Sequence, residues 1–287
     1  MVTVLALSAA LAYGVADFLG GAVARKSTAL KALTWCVPAG FAVVLVAALL
    51  GGGSPSPGPM AWGVAAGMSG GAGLITFYRA LARGPMSVVA PVSALAAAVL
   101  PVAVGIAKGE RLDASVLLGV LLCLVAIGLV SMEAGDTREA TTGRLLDSGP
   151  ITAAVSGICF GVFFVLLEAA GDGSGLWPIV GARVGNLLVV LAAVLFVVAR
   201  GRSLGPRVSG RTLIGLALLS GSLDAGANVL YFVVVHDGLL SLAAVLTSLY
   251  PAITVLLARI AYSERLRAVQ RVGLVVAAAG VALVTVG

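Results

Sequence analysis

The chain has 287 residues, of which 60% are hydrophobic and only 10% charged, with a formal net charge of +6. Soluble domains carry about 25% charged residues, so this composition excludes an ordinary soluble domain. The basic excess does not indicate a nucleic-acid partner either, because most of the 18 Lys and Arg residues lie in short segments between apolar runs.

The apolar residues form ten runs of about 20 residues, the length that an α-helix needs to cross a bilayer. The predicted spans are 2–24, 32–51, 59–80, 86–107, 114–132, 150–170, 178–199, 211–235, 239–262 and 269–287. Their richness in Ala, Val, Leu and Gly favours packed membrane helices over barrel strands. We therefore predict an all-α polytopic membrane protein with ten transmembrane helices, located as a multi-pass protein in the cell membrane.

The basic residues predict an orientation for these spans. Arg25 and Lys26 follow the first run instead of preceding it, so we expect a membrane span and not a signal peptide. The odd-numbered loops contain 14 of the 18 basic residues. By the positive-inside rule these loops face the cytoplasm, which places both termini outside.

An internal repeat predicts two halves. Residues 84–130 align without a gap to residues 238–284 at an offset of 154, with 14 identities in 47 positions. The matches include Glu-Arg-Leu at 110–112 and at 264–266. We assign 1–132 to a first five-helix repeat, 133–149 to a connecting loop and 150–287 to a second repeat. Since five is odd, the second repeat is inverted relative to the first, as in many secondary transporters.

The ten-span duplication, the stretch FYRALARGPMSVVAP before span 4, and the sequences GERL and SERL after spans 4 and 9 together resemble the drug/metabolite transporter superfamily, in particular its EamA-type members. The resemblance covers essentially the whole chain. It implies a fold of two inverted five-helix repeats and the export of amino acids, other small metabolites or drugs, often against a proton gradient. These motifs are structural and do not specify a substrate.

The first span carries one carboxylate, Asp17, within the stretch ALAYGVADFLGG at 10–21. Charged groups inside a span are costly and are functional candidates. Asp17 is either a proton or cation site or one half of a structural ion pair with Arg79, near the end of span 3. Tyr13, in the same stretch, is included as a candidate contact.

Spans 7 and 8 carry the deepest polar residues. Asp224 lies almost at the middle of span 8, and Asn228 and Tyr231 share its helix face. Arg183 and Asn186 form a second polar stripe in span 7, with Arg183 within reach of Asp224. We predict that these residues line a substrate or coupling site. An Arg183–Asp224 pair would be a structural bridge or a gate that substrate or protons break.

A second rank of candidate contacts surrounds prolines in spans 4 and 9. Pro251 interrupts span 9 next to Tyr250, with Thr247 shortly before it, and Ser93 is the nearest equivalent in span 4. A proline in a helix leaves a backbone carbonyl without its donor, and such carbonyls face cavities in many transporters.

Span 3 contains two overlapping small-residue motifs, at Gly63, Gly67 and Gly71. Such a face lets another helix approach closely. It serves either plain packing or movement of one repeat against the other.

Several functions have no support in the sequence. There is no nucleotide-binding loop, no hydrolase motif and no cysteine or histidine cluster. We therefore predict no enzyme activity, no cofactor and no metal.

The predicted function is a secondary active transporter, an exporter of small organic solutes that is coupled to protons through Asp17 or Asp224 and alternates access around a midplane cavity. The alternatives are a passive channel or facilitator, and a membrane enzyme or accessory subunit. Asp224 beside Arg183 would suit a zwitterion such as an amino acid, whereas an unpaired Asp17 would suit a cation. The expected partners are a small-molecule substrate, protons and the lipid bilayer, with a monomer and a homodimer both open.

Overall fold

The structure is a computed structural model that describes residues 2–107, 114–132, 149–171, 173–206, 208–236, 250–262 and 268–286. These residues form ten helices and contain no strand. The helices are α1 (Val2–Lys26), α2 (Ala29–Gly51), α3 (Pro57–Arg83), α4 (Met86–Ala107), α5 (Ala114–Met132), α6 (Gly149–Glu168), α7 (Trp177–Ala199), α8 (Arg211–His236), α9 (Tyr250–Tyr262) and α10 (Ala268–Val286).

Local sequence explains where these helices begin and end. The Thr28 hydroxyl accepts a hydrogen bond from the Lys31 amide at 3.3 Å, which caps the start of α2. Gly52, at a φ of 79°, ends that helix in a conformation that favours glycine. Pro57 opens α3, where its missing N–H removes no intrahelical bond.

Five of the described helices are long and apolar enough to cross a membrane, judged by length and composition. These segments are Ala29–Gly51, Pro57–Arg83, Ile151–Glu168, Trp177–Ala199 and Arg211–Tyr231. Large apolar side chains point outward from several helices: Leu50, Ile260 and Val275 are 83%, 72% and 69% exposed. Such a surface is stable in lipid and not in water, so the chain is an all-helical membrane protein.

Two predicted segments fall wholly or largely outside the described residues. The connecting loop at 133–149 is described only at Gly149, and predicted span 9 is described only from Tyr250 onward. Thr247 therefore lies outside the described part of the chain.

The helices pack in a regular set of pairs. α3 contacts α7 and α6, α1 contacts α8 and α9, α2 contacts α8 and α7, α4 contacts α6 and α9, and α5 contacts α10. Helices α2, α3, α7 and α8 are thus joined to one another through the α2–α7, α2–α8 and α3–α7 contacts.

Glycines allow the closest of these contacts. A Cβ atom at Gly67 of α3 would overlap the backbone carbonyl of Ala182 in α7. Likewise, a Cβ atom at Gly221 of α8 would overlap the carbonyl of Cys36 in α2. The small-residue motif of span 3 therefore serves close backbone packing between helices.

One end of the bundle carries the basic loops. The Thr28 hydroxyl, before α2, donates to the Leu204 carbonyl, after α7, at 2.8 Å. Arg25, at the end of α1, donates through Nη2 to the Gly84 carbonyl, after α3, at 2.7 Å. The ends of α1, α3 and α7 and the start of α2 therefore meet. We call this side the basic end; its described basic residues include Arg25, Lys26, Lys31, Arg83, Arg200, Arg202 and Arg211.

Candidate functional site

An ion pair lies in the interior of the bundle. Arg183 of α7 donates through Nη1 to Oδ2 of Asp224 in α8 at 2.7 Å. The arginine side chain is only 6% exposed and the aspartate side chain 23%. Each charge offsets part of the cost of burying the other, so the pairing predicted from their depths is present.

The polar face of α8 extends on both sides of this pair. Asn228 donates through Nδ2 to the Asp224 backbone carbonyl at 2.8 Å, so its amide is held by its own helix. Tyr231 packs its ring against Phe164 of α6, with centroids 6.2 Å apart. Ser220, one turn before Asp224, is fully buried on the same stripe.

Helices α1 and α9 bring two tyrosines to the pair. The rings of Tyr13 and Tyr250 are 5.9 Å apart. Tyr13 is also close enough to Asp224, Arg183 and Tyr231 for electrostatic interaction with each of them. These candidate residues, which come from four helices, therefore belong to one cluster.

Asp17 belongs to the same cluster but differs from Asp224 in its contacts. It interacts electrostatically with Asp224 and with Tyr250. Among the residues that the structure describes, no hydrogen bond or ion pair is found for its carboxylate, and the alternative pairing with Arg79 is not observed. The cluster thus holds one paired carboxylate and one without an observed counter-ion.

Asn186 is buried one turn along α7 from Arg183. It is 4% exposed, and its Oδ1 has no hydrogen-bond partner within the described ranges. A Cβ atom added to Gly70 of α3 would lie 3.1 Å from this Oδ1. A buried polar atom without a partner costs about 1–3 kcal/mol, so the Asn186 Oδ1 is a group that a ligand or water could satisfy.

Ser93 and Thr247 are not part of the observed cluster. The Ser93 and Ser156 hydroxyls are hydrogen bonded at 2.9 Å between α4 and α6, and Ser93 has no described contact with the Arg183–Asp224 pair. Thr247 lies outside the described residues.

A small pocket of about 10 Å³, enough for about one water molecule, lies beside the ion pair. It is lined by Arg183, Asp224, Leu33, Cys36, Val37, Leu74, Tyr78 and Gly221. This volume is far below the roughly 300–1,000 Å³ of drug-sized ligand sites. A polar wall from α7 and α8 thus faces a mostly apolar wall from α2 and α3.

Three residues beside this pocket were not predicted from the sequence. Tyr78 and Cys36 line it, and Ser220 is hydrogen bonded to Tyr78 at 3.0 Å. Ser220 could have been found, because it lies four residues before Asp224 on the polar stripe. Tyr78 and Cys36 carry no comparable signal.

No set of side chains that could bind a metal ion is found in the described part of the chain. No group of three or more His, Cys, Asp and Glu side chains converges there. The cluster instead contains an arginine, two carboxylates and tyrosines, which is suited to binding polar solutes and exchanging protons.

The helical fold, the apolar exterior and the buried ion pair beside a pocket together define a class: a polytopic membrane protein with an internal polar site. Residues 147–286 match the EamA-like transporter family. This part of the chain is therefore similar to an EamA-like transporter domain, which is consistent with the drug/metabolite transporter superfamily. The matched family consists of transporters and not of enzymes. Together with the apolar helices, the match supports a multi-pass protein of the cell membrane.

Solved structures support the fold. Ten of their chains match this protein significantly. One of them, described only as "Crystal structure of protein", is 20% identical in sequence and has a TM-score of 0.60; the match covers 99% of this chain and 96% of that one. A comparison with curated proteins gives no significant match.

Proposed function

We propose that the chain is a secondary active transporter that exports small organic metabolites, such as amino acids or drug-like solutes, in exchange for protons. Its substrate site is the cluster around Arg183 and Asp224, near the middle of the membrane. The observation that carries the proposal is the buried Arg183–Asp224 pair on the wall of a pocket. An ion pair with a structural role alone would not require a cavity beside it, so the pocket supports a binding role for this pair.

The two carboxylates have different roles in this proposal. Asp224 is held by Arg183 at 2.7 Å. A zwitterionic substrate could separate this pair, because its negative group could bind Arg183 and its positive group could bind Asp224. Asp17 has no observed counter-ion and interacts with Asp224. It can therefore exchange a proton without breaking an ion pair, and the proton would change the field at Asp224. Asp17 is the proposed coupling residue and Asp224 the proposed substrate residue.

Further candidate residues surround the pair. Asn186 supplies an amide whose Oδ1 has no partner among the described residues. Tyr13 and Tyr250 supply two rings, tilted by 55° to each other, that interact with Asp224 and Asp17 respectively. We propose that these three contact the substrate, whereas Asn228 and Tyr231 shape the wall of α8.

The helix pairs support two inverted five-helix repeats. Each helix of one half corresponds to the helix five positions later or earlier in the other half. Under this correspondence the α1–α8 contact becomes α6–α3, α2–α8 becomes α7–α3, and α4–α6 becomes α9–α1. All six contacts are present. Gly67 and Gly221 differ by 154 positions, the offset of the sequence repeat. Gly67 of α3 lies against the backbone of α7, and Gly221 of α8 lies against the backbone of α2. Alternating access would follow from movement of one repeat against the other.

The alternatives predict different behaviour. A passive facilitator needs neither a coupling carboxylate nor saturable exchange. An enzyme would need catalytic groups positioned to act together. The carboxylate of Asp17, for which no counter-ion is found in the described part of the chain, favours the coupled carrier.

The proposal is tested with purified protein in proteoliposomes. Uptake of labelled amino acids, organic cations and nucleosides is measured with and without an imposed pH gradient, followed by counterflow without a gradient. We expect at least one solute to show saturable counterflow and faster uptake under the gradient. Saturable counterflow that ignores the gradient would remove proton coupling; uptake that neither saturates nor exchanges would favour the facilitator.

A further inference from the structure

Arg25 joins three helices at the basic end. Its Nε donates to the Leu81 carbonyl at 2.9 Å and its Nη2 to the Gly84 carbonyl at 2.7 Å, so it caps the end of α3. The guanidinium also stacks over the Tyr262 ring, at the end of α9, with 4.5 Å from Cζ to the ring centroid. Arg25 thus links the first half of the chain to the second.

A second layer of contacts lies deeper, between this end and the ion pair. The Tyr78 hydroxyl is 3.0 Å from the Ser220 Oγ, and Ser220 donates to the Ala16 carbonyl at 2.8 Å. The phenol of Tyr78 fills the notch left by Gly20, where a Cβ atom would overlap it. α1, α3 and α8 are therefore held together directly beside Asp17 and Asp224.

The space between the two layers is densely filled. Leu33, Leu81 and Met86 are at most 1% exposed and belong to one buried cluster with Tyr78 and Val23. Met86 and Leu81 side chains close on Gly21 of α1. By contrast, Asp224 retains 23% exposure, so the described contacts close the pocket toward the basic end.

We propose that these two layers, Arg25 with Leu81, Gly84 and Tyr262, and Tyr78 with Ser220 and Ala16, are a gate that closes the pocket from the basic end. The inference deepens the proposed function, on which it rests for its role in transport. The structure then represents a state closed on that side. Opening requires Arg25 to release the two carbonyls and Tyr262, which separates α9 from α1 and α3.

Cys36 provides a probe of the gate, because it is only 3% exposed and lines the pocket next to Tyr78 of the deeper layer. Cys123 and Cys159 are replaced by serine, and the rate of Cys36 alkylation by a membrane-impermeant maleimide is measured in right-side-out and inverted vesicles. An added cysteine at exposed Arg202 identifies the vesicle face that carries the basic end.

Arg25→Gln is expected to accelerate Cys36 alkylation from the basic end at least about tenfold, because hydrogen bonds from a charged donor are among the strong ones. Arg25→Lys keeps the charge but loses the two-carbonyl fork, and Tyr262→Leu loses the stacked ring; each should have a smaller effect in the same direction. Lys26→Gln is the matched control, since Lys26 is the exposed neighbour that also carries one positive charge.

Equal Cys36 alkylation in Arg25→Gln, Arg25→Lys, Tyr262→Leu and Lys26→Gln would overturn the gate. The measurement reports access to the pocket and not transport. A protein that moves no solute would disprove the proposed function and still show whether the gate exists.

Discussion

Arg183→Met should lower the free energy of unfolding by about 3 kcal/mol, the lower part of the range for breaking a buried ion pair. The substitution leaves the Asp224 carboxylate inside the bundle without its counter-ion, 2.7 Å away in the native chain. The low end applies because Asp224 is 23% exposed and solvent reduces the penalty. Thermal unfolding of purified protein measures the effect, with Arg202→Met, an exposed loop arginine, as the control.

The double variant Arg183→Met/Asp224→Leu separates structure from function. Replacing a buried pair by apolar residues of similar volume is often neutral for stability. We therefore expect the double variant to regain most of the stability lost in Arg183→Met. Solute exchange should fall by at least about 100-fold, because two charged contacts to the substrate are lost and each accounts for about tenfold or more. A stable double variant with normal exchange would show that the pair is only structural.

Gly67→Ala and Gly221→Ala should each destabilise the bundle by about 1–3 kcal/mol, the usual cost of overpacking. The added methyl groups would meet the carbonyls of Ala182 and Cys36, and a backbone cannot rotate away as a side chain can. The two helices must separate instead, and dispersion contacts along both are lost. Thermal unfolding in detergent measures the loss.

The matched controls for these glycines lie in α8. A Cβ atom at Gly215 or Gly226 meets no heavy atom within 4 Å. Gly215→Ala and Gly226→Ala should be neutral or stabilising by up to about 1 kcal/mol, because alanine has the higher helix propensity. Equal effects at Gly67 and Gly215 would contradict the close backbone contact between α3 and α7.

Much of the candidate site follows from the sequence because depth and helix face can be counted along a span. Arg183 and Asp224 were expected to meet since their depths are within the reach of an arginine side chain, and they do. The stripe of Asp224 and Asn228 follows from the helical period, although the amide of Asn228 bonds its own helix.

Counting along one helix does not determine which helix lies opposite. Ser93 has a suitable depth but faces Ser156 of α6 and not the ion pair. Tyr78 lies near the end of α3, where a tyrosine is usually an interface anchor, yet the notch at Gly20 draws its ring inward. The place of Cys36 on the pocket wall depends on the approach of α8 at Gly221.

The central claim assigns coupling to Asp17 and substrate binding to Asp224, and it is tested most directly by comparing counterflow with gradient-driven uptake. The same proteoliposomes are prepared with Asp17→Asn and with Asp224→Asn. We expect Asp17→Asn to retain counterflow and lose the response to the pH gradient, and Asp224→Asn to lose both. A full response to the gradient in Asp17→Asn, or normal counterflow in Asp224→Asn, would contradict the assignment.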